Sequence, residues 1–197
     1  MKVLAVSVGT ARPLPWHGRT LLSGIRKTPV DGPVEVTPLG LVGDEQGDRK
    51  HHGGPDKAVL LYPAEHYAAW VPLLGPLAQP AFGENLTTTG LLESDVVVRS
   101  IYAIGTVVLQ VTQPRRPCYR LAAHHDVEDL AVRTQRSGRT GFYCRVLSPG
   151  HLAAGDPIEL RMRPQHGPTV AEALRARSDN RDSRLYGASP DTAKESR

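Results

Sequence analysis

TVVLQVTQPRRPCYRL (residues 106–121) joins a short apolar run to a turn rich in proline and arginine. Residues 106–112 are mostly Val and Leu, as strands tend to be, and Pro114 and Pro117 then interrupt any regular ladder of hydrogen bonds. With 19 glycines and 17 prolines spread along it, the chain does not suit a helical bundle. Similar short runs bounded by glycine and proline occur at 2–8, 34–39, 58–62, 96–100, 142–147 and 157–162. The sequence therefore predicts a mainly β fold, a barrel or a sandwich, with a few helices.

Two helices are predicted among these strands. The first covers residues 64–71. The second begins at Asp126, whose side chain can accept a hydrogen bond from the first turn, while Glu128 and Asp129 favour the positive end of the helix dipole. Gly138 gives this helix a natural end.

The polarity of the chain changes towards its C-terminus. We expect residues 1–163 to form a single domain. Residues 164–177 predict a linker and a short helix, which Thr169 would cap together with Glu172 at the third helical position. Residues 178–197 are polar and charged, which predicts a disordered tail.

Composition restricts the classes of function. The two cysteines, Cys118 and Cys144, lie in unlike contexts, so reduced thiols and a cytoplasmic location are expected rather than a disulfide framework. No stretch approaches the roughly 20 apolar residues that a membrane helix needs. A net charge of +4 suits a small anionic ligand. Aromatic residues make up only 5% of the chain and do not alternate with basic ones, which argues against nucleic-acid binding.

Cys118 is the first candidate for chemistry. A thiolate is the nucleophilic and metal-binding form of cysteine, and the neighbouring guanidinium groups of Arg115, Arg116 and Arg120 stabilise it. The alternative is a small packing residue in a turn, which is what most free cysteines are.

Several cations lie beside turns rather than on a helix face. Arg115 and Arg116 precede the cysteine, Lys27 lies in GIRKTPV (24–30), and Lys57 follows a glycine pair. Guanidinium groups bind phosphate oxygens bidentately and lysine acts as a point charge, so this placement favours a phosphate-bearing ligand over solvated surface charge.

KHHGGPDKAV (50–59) precedes an apolar strand. Gly53 and Gly54 allow a tight turn or a close approach to a ligand. The adjacent His51 and His52 would point to opposite faces of an extended backbone, so they do not form a zinc pair. A solvated turn is the alternative interpretation.

FGENLTTTGL (82–91) is the second glycine-containing cluster. Glu84 offers an acceptor and Asn85 an amide, next to a glycine that permits an unusual backbone angle. Taken alone, this stretch is typical of a polar turn.

Four motifs, in this order, resemble the MOSC domain family, which is named for the C-terminal module of molybdenum cofactor sulfurases. They are GLVGDEQGDRKHHGGPDKAV (40–59), FGENLTTTGL (82–91), VTQPRRPCYRL (111–121) and AAGDPIEL (153–160). Within the family the chain is most similar to the stand-alone YiiM-type group, and the resemblance covers residues 1–163. It implies a compact β-barrel of the pyruvate-kinase barrel-like type.

The resemblance also implies a molybdenum–pterin cofactor with one cysteine as the protein's ligand to the metal. By motif this ligand is Cys118, and His52 and Lys27 match positions in a basic pocket around it, so these three are the expected catalytic residues. Molybdenum is thiophilic, which suits a thiolate ligand. The residues expected to contact the cofactor are Lys27, His52, Gly53, Gly54, Asp56, Lys57, Glu84, Asn85, Arg115, Arg116 and Cys118.

The implied activity is the reduction of N-hydroxylated compounds such as 6-hydroxylaminopurine to amines. Electrons would come from an external flavin or iron–sulfur protein. The alternatives are a non-catalytic carrier of the cofactor or of a sulfur species, and a hydrolase with a Cys118 nucleophile and His52 as base. YiiM-type proteins usually continue into a three-helix domain. Residues 169–177 resemble its first helix, and residues 178–197 are too few and too polar to complete it.

Overall fold

The computed structural model describes residues 1–47 and 53–176. Within these residues the protein is mainly β, as predicted. The strands are β1 (Lys2–Val8), β2 (Arg12–Trp16), β3 (Arg19–Ser23), β4 (Thr28–Pro29), β5 (Val34–Thr37), β6 (Gly40–Leu41), β7 (Val59–Pro63), β8 (Leu86–Thr89), β9 (Ile101–Ile104), β10 (Val107–Pro114), β11 (Phe142–Ser148), β12 (Gly150–Leu152) and β13 (Ile158–Met162). The helices are α1 (Tyr67–Leu74), α2 (Tyr119–His125), α3 (Leu130–Ser137) and α4 (170–176), with 3₁₀ turns at Pro55–Lys57 and Ala64–His66.

The main sheet is barrel-like. Its eight strands follow the order β13-β9-β10-β11-β7-β8-β1-β4, and β7 and β8 pair in parallel. Among the described residues, no continuous ladder closes this sheet. A bridge between Lys2 and Pro157 and a 3.0 Å hydrogen bond from Val3 N to Asp156 O bring β1 back to the segment that precedes β13. The two edges of the sheet therefore approach each other, and the sheet curves around its interior.

The interior is filled by alternate residues of the strands. In β10, Val107, Leu109 and Val111 are fully buried while the residues between them are half-buried, as the two-residue period of a strand requires. Burial of such side chains contributes about 1.5–3 kcal/mol each. The apolar interior thus fixes the position in which β10 delivers the segment that follows it, residues 115–118.

A second apolar cluster packs against the helices. Tyr62, Trp70, Phe82, Leu121 and Leu130 belong to it. The rings of Tyr62 and Phe82 stack with centroids 4.4 Å apart, and Trp70 Nε1 donates to Tyr62 Oη over 2.9 Å. This cluster holds the 82–85 turn firmly against β7.

Most predicted strands are present with small shifts at their ends, but the strand at 96–100 is wrong. That stretch is a turn region in which Arg99 has a positive φ of 77°. Val96 and Val97 are buried there, and the backbone is held by hydrogen bonds from Val96 N to Leu92 O and from Val98 N to Pro168 O. The hairpin of β2 and β3 was not predicted. Its two-residue turn, His17 and Gly18, has the positive φ angles of a tight hairpin loop.

The helix predicted to begin at Asp126 starts later. Asp126 adopts the left-handed conformation that ends α2, and α3 begins at Leu130. Asp129 precedes α3 but accepts from Arg133 Nε over 2.8 Å instead of capping the backbone. Gly138 ends α3 in the left-handed conformation, as predicted. The helix predicted at 64–71 begins as a 3₁₀ turn and continues as α1.

Helix α4 carries the predicted reciprocal cap. Thr169 N donates to Glu172 Oε2 over 2.8 Å, and Glu172 N donates to Thr169 Oγ1 over 3.2 Å. The predicted tail at 178–197 lies outside the described residues. Within residues 1–47 and 53–176, no helix is long and apolar enough to cross a membrane.

Candidate functional site

A cavity of about 90 Å³ lies where four segments meet: the loop before β4, the loop after β6, the 82–85 turn and the connection from β10 to α2. These segments are far apart in the sequence. Six of the predicted site residues line the cavity: Lys27, Lys57, Asn85, Arg115, Arg116 and Cys118.

Cys118 lies on the wall of this cavity at the start of α2. Its backbone is extended, with φ −130° and ψ 172°, and its carbonyl accepts from Leu121 N over 2.9 Å. The side chain is half-buried and takes no part in a disulfide. The backbone of Cys118 thus begins the helix, and the residue also lines the cavity.

Arg115 is nearly buried, with 6% of the residue exposed. Its backbone N donates to Gly141 O and its Nη2 donates to Phe82 O, both over 3.0 Å. Its Nη1 is buried and has no hydrogen-bond partner among the described residues. Since a buried N–H without a partner is costly, an anionic oxygen in the cavity would satisfy this group.

Lys27 and Asp44 form a buried ion pair in the same cavity, with 6% and 5% of their side chains exposed. Asp44 Oδ1 also accepts from Gly9 N over 3.0 Å, just beyond the end of β1. Burial lowers the pKa of Lys27, and the charge of Asp44 offsets part of this effect. The ammonium group is therefore held in place and yields its proton more readily than an exposed lysine.

The loop that carries Asp44 lies close to β3 because glycines permit it. A Cβ at Gly47 would lie 2.1 Å from Leu22 O, and one at Gly24 would lie 2.0 Å from Glu45 O. Such distances are far inside van der Waals contact, so these two positions accept only glycine unless the loop moves.

Asn85 connects the cavity to the sheet. Its Nδ2 donates to Asp44 Oδ2 over 2.9 Å, and its Oδ1 accepts from Leu60 N over 3.1 Å. Its backbone bonds to both neighbouring strands, through Leu60 O and Ser7 N. One residue therefore links β7, β1 and the ion pair.

Glu84 lies behind the cavity wall. It is fully buried, and its oxygens accept from Tyr67 Oη, from Thr87 Oγ1 over 3.0 Å and from Phe82 N over 2.9 Å. The structure thus places Glu84 where it stabilises the turn rather than on the cavity surface.

Three other predicted contacts also lie off the cavity lining. Asp56 is exposed and pairs with Arg145 Nη2 at 2.8 Å. Gly53 and Gly54 precede the 3₁₀ turn that carries Lys57 into the cavity. His52 lies outside the described residues.

Asp44, Arg120 and Tyr143 line the cavity and were not among the predicted site residues. Arg120 was recognised only as nearby charge, and Asp44 lies within a quoted motif with nothing local to mark it as the partner of Lys27. Burial raises the pKa of Tyr143, so its hydroxyl stays protonated. Among the described residues, five basic side chains line the cavity, Lys27, Lys57, Arg115, Arg116 and Arg120, against two acidic ones, Asp44 and Glu45.

This donor set suits a molybdenum–pterin cofactor. Cys118 provides a soft sulfur ligand, and Arg115 provides a buried N–H that an anionic oxygen would satisfy. The excess of positive charge on the lining matches a phosphate-bearing group.

Comparisons with known proteins address the family of the chain. A family model described as MOSC domain matches residues 48–159, more than half of the chain. Protein YiiM from Escherichia coli is 46% identical over 145 residues, which cover 72% of this chain and 65% of that protein. A reductase from Gibberella moniliformis is 38% identical over 154 residues, which cover 75% of this chain and 27% of that protein. The chain thus matches just under two thirds of the first protein and about a quarter of the second.

A solved structure shows the same architecture. The crystal structure of YiiM from Geobacillus stearothermophilus superposes with a TM-score of 0.76 and 36% sequence identity. The superposition covers 92% of this chain and 85% of that one.

Proposed function

Because this chain belongs to the MOSC domain family, we propose that it is an oxidoreductase that uses a molybdenum–pterin cofactor to reduce N-hydroxylated compounds to amines. One observation carries the proposal: Cys118 lines the same basic cavity as Arg115, whose Nη1 has no hydrogen-bond partner within the part of the chain that the structure describes. The reductase named among the relatives supports redox chemistry in general. Compounds of the 6-hydroxylaminopurine type are the proposed substrates.

The residues that would hold the cofactor divide by chemistry. Cys118 Sγ would be the protein's ligand to molybdenum, as a soft metal prefers. Arg115 Nη1 and Lys57 Nζ would bind the phosphate of the pterin. When bound, the cofactor supplies the two-electron reduction, and the protein supplies binding, orientation and protons.

The overall reaction requires two electrons and two protons: R–NHOH + 2 e⁻ + 2 H⁺ gives R–NH₂ + H₂O. The electrons come from an external flavin or iron–sulfur protein, as the resemblance implies. Lys27 Nζ is the proposed donor of a proton to the departing hydroxyl oxygen, because burial has lowered its pKa and Asp44 holds it in the cavity. His52 is a second proposed donor.

The decisive experiment replaces Cys118 with serine in protein made in a host that synthesises the cofactor. We expect the Cys118→Ser variant to lose both bound molybdenum, measured by elemental analysis, and reduction of 6-hydroxylaminopurine with dithionite as electron source. The matched control is Cys144→Ala, which removes the other thiol from a fully buried site in β11 where burial raises the thiol pKa. This control should keep both properties.

Two results would contradict parts of this proposal. Full molybdenum content and turnover in Cys118→Ser would reject the cysteine ligand. Molybdenum that is bound in the parent protein without any turnover would favour the carrier function over the enzyme.

A further inference from the structure

A second and much larger cleft, of about 740 Å³, lies on the other side of the 115–118 segment. Its walls are the 92–94 turn, Arg116 and Pro117, helix α3 with the turn that follows it, and helix α4. Four arginines from these separate elements line it: Arg116, Arg136, Arg139 and Arg175. We call this surface the arginine cleft.

Among the described residues, few acidic groups lie on or near this cleft. The one carboxylate on its described lining is Glu93, whose Oε2 lies 2.6 Å from His66 Nε2 and whose Oε1 accepts from Gly141 N over 2.7 Å. Glu172, which lies near Arg175, accepts from Thr169 N in the cap of α4. With four arginines against the one carboxylate of Glu93, the described lining of the cleft carries a net positive charge.

The arginine cleft adjoins the Cys118 cavity. Arg116 lines both, and Pro117, on the wall of the cleft, immediately precedes Cys118. A molecule seated in the cleft would therefore lie against the same short segment that carries the proposed metal ligand.

On the basis of the proposed function, we propose that the arginine cleft is the docking surface for the acidic face of the protein that delivers electrons to the Cys118 site. Each turnover would oxidise a reduced flavin protein of the flavodoxin type by two electrons in total, and these electrons, with two protons from water, convert R–NHOH to R–NH₂ and H₂O. The side chains of Arg136, Arg139 and Arg175 are exposed. Charges that guide the encounter of two proteins are exposed in this way, whereas a site built for a small phosphate would bury its cations.

The test uses charge reversal and two readouts. The variant Arg136→Glu/Arg139→Glu changes the cleft and leaves every residue of the Cys118 cavity in place. Its matched control, Arg12→Glu/Arg161→Glu, reverses two exposed arginines that do not line the cleft. Binding of an acidic flavodoxin is measured by titration calorimetry at low ionic strength, and turnover is measured with reduced flavodoxin and, separately, with dithionite.

We expect the cleft variant to bind flavodoxin at least about tenfold more weakly and to lose most of the salt dependence of binding. Flavodoxin-driven turnover should fall by a similar factor, dithionite-driven turnover should stay unchanged, and the control should match the parent protein.

Three outcomes would overturn this inference: no flavodoxin binding by the parent protein at low salt, equal binding by the cleft variant, or arginine-dependent binding of inorganic pyrophosphate without binding of flavodoxin. The last would assign the cleft to a small anion. Failure of the proposed function shows separately, as absent turnover with dithionite, because the binding measurement needs no turnover.

Discussion

Asn85 donates a hydrogen bond from Nδ2 to Asp44 Oδ2 over 2.9 Å, and Asp44 in turn pairs with Lys27. Because the backbone of Asn85 also bonds to β7 and to β1, both strands help to position the Lys27 ammonium group. The Asn85 side chain therefore links the sheet to the cavity, and a structural change in either should alter the structure of the other.

Replacing Asp44 with asparagine should leave the Lys27 ammonium buried without its counter-charge. We expect a loss of roughly 2–4 kcal/mol in the free energy of unfolding at pH 7. The folded-state pKa of Lys27 lies below its usual 10.5, so the unfolded chain binds more protons and stability rises with pH. The deficit should therefore shrink as pH approaches 10, as measured by urea unfolding at several pH values. A deficit that is the same at pH 7 and pH 10 would contradict this; the exposed Asp31→Asn is the control.

Replacing Arg115 with lysine should keep the positive charge but leave one nitrogen in place of the two, Nη1 and Nη2. A single Nζ cannot both donate to Phe82 O and satisfy an anion in the cavity. We expect molybdenum retention after dialysis to fall about tenfold and stability to fall by about 1 kcal/mol. Elemental analysis checks the first result. Arg161→Lys, on an exposed strand, should behave like the parent, and unchanged metal retention in Arg115→Lys would remove Arg115 from the proposed site.

Replacing Phe82 with leucine should destabilise the 82–85 turn. Phe82 is fully buried and stacks on Tyr62, so the lost apolar area and ring pairing together cost roughly 1–3 kcal/mol. Urea unfolding measures this cost, and Leu39→Ala, at a position 64% exposed, should stay within about 0.5 kcal/mol of the parent. Equal stability of Phe82→Leu and the parent would mean that the cluster can repack around the smaller side chain.

Replacing His124 with glutamine should make the fold less sensitive to acid. Burial, with the neighbouring charges of His125 and Arg26, lowers the pKa of His124 to about 4 from 6.5. As pH falls from 6.5 towards 4, the unfolded chain takes up a proton that the folded chain does not, so the folded state loses stability. After allowance for the partial exposure of the ring, this loss is about 1–2 kcal/mol.

Thermal unfolding at pH 7 and pH 4.5 measures the His124 effect. The difference between the two pH values should be smaller in His124→Gln than in the parent protein, and unchanged in His151→Gln, which alters an exposed histidine. An identical difference in all three proteins would rule out His124 as a source of acid sensitivity.

Local patterns predicted much of the fold. The strand at the N-terminus has the predicted bounds, 2–8, because a run of apolar residues between polar ends is readable from neighbours in the chain. The stretch at 96–100 also begins with apolar residues but is a turn region, whose backbone bonds to Leu92 and to Val170 in α4, and local composition does not show these partners. Helix α2 follows Cys118 directly and was not predicted, because a proline and a cysteine precede it and two histidines form its last residues.

The residue types of the site could be read from the chain: a thiol among arginines, and cations beside glycine turns. These are properties of short segments, so the resemblance to the MOSC family and the choice of Cys118, Arg115 and Lys27 needed no coordinates. Four other features arise from segments that are distant in sequence. Lys27 pairs with Asp44, Arg115 Nη1 has no partner among the described residues, Glu84 lies behind the cavity wall, and four arginines line one cleft. Burial and charge pairing depend on which distant groups meet, and only the packed chain decides that.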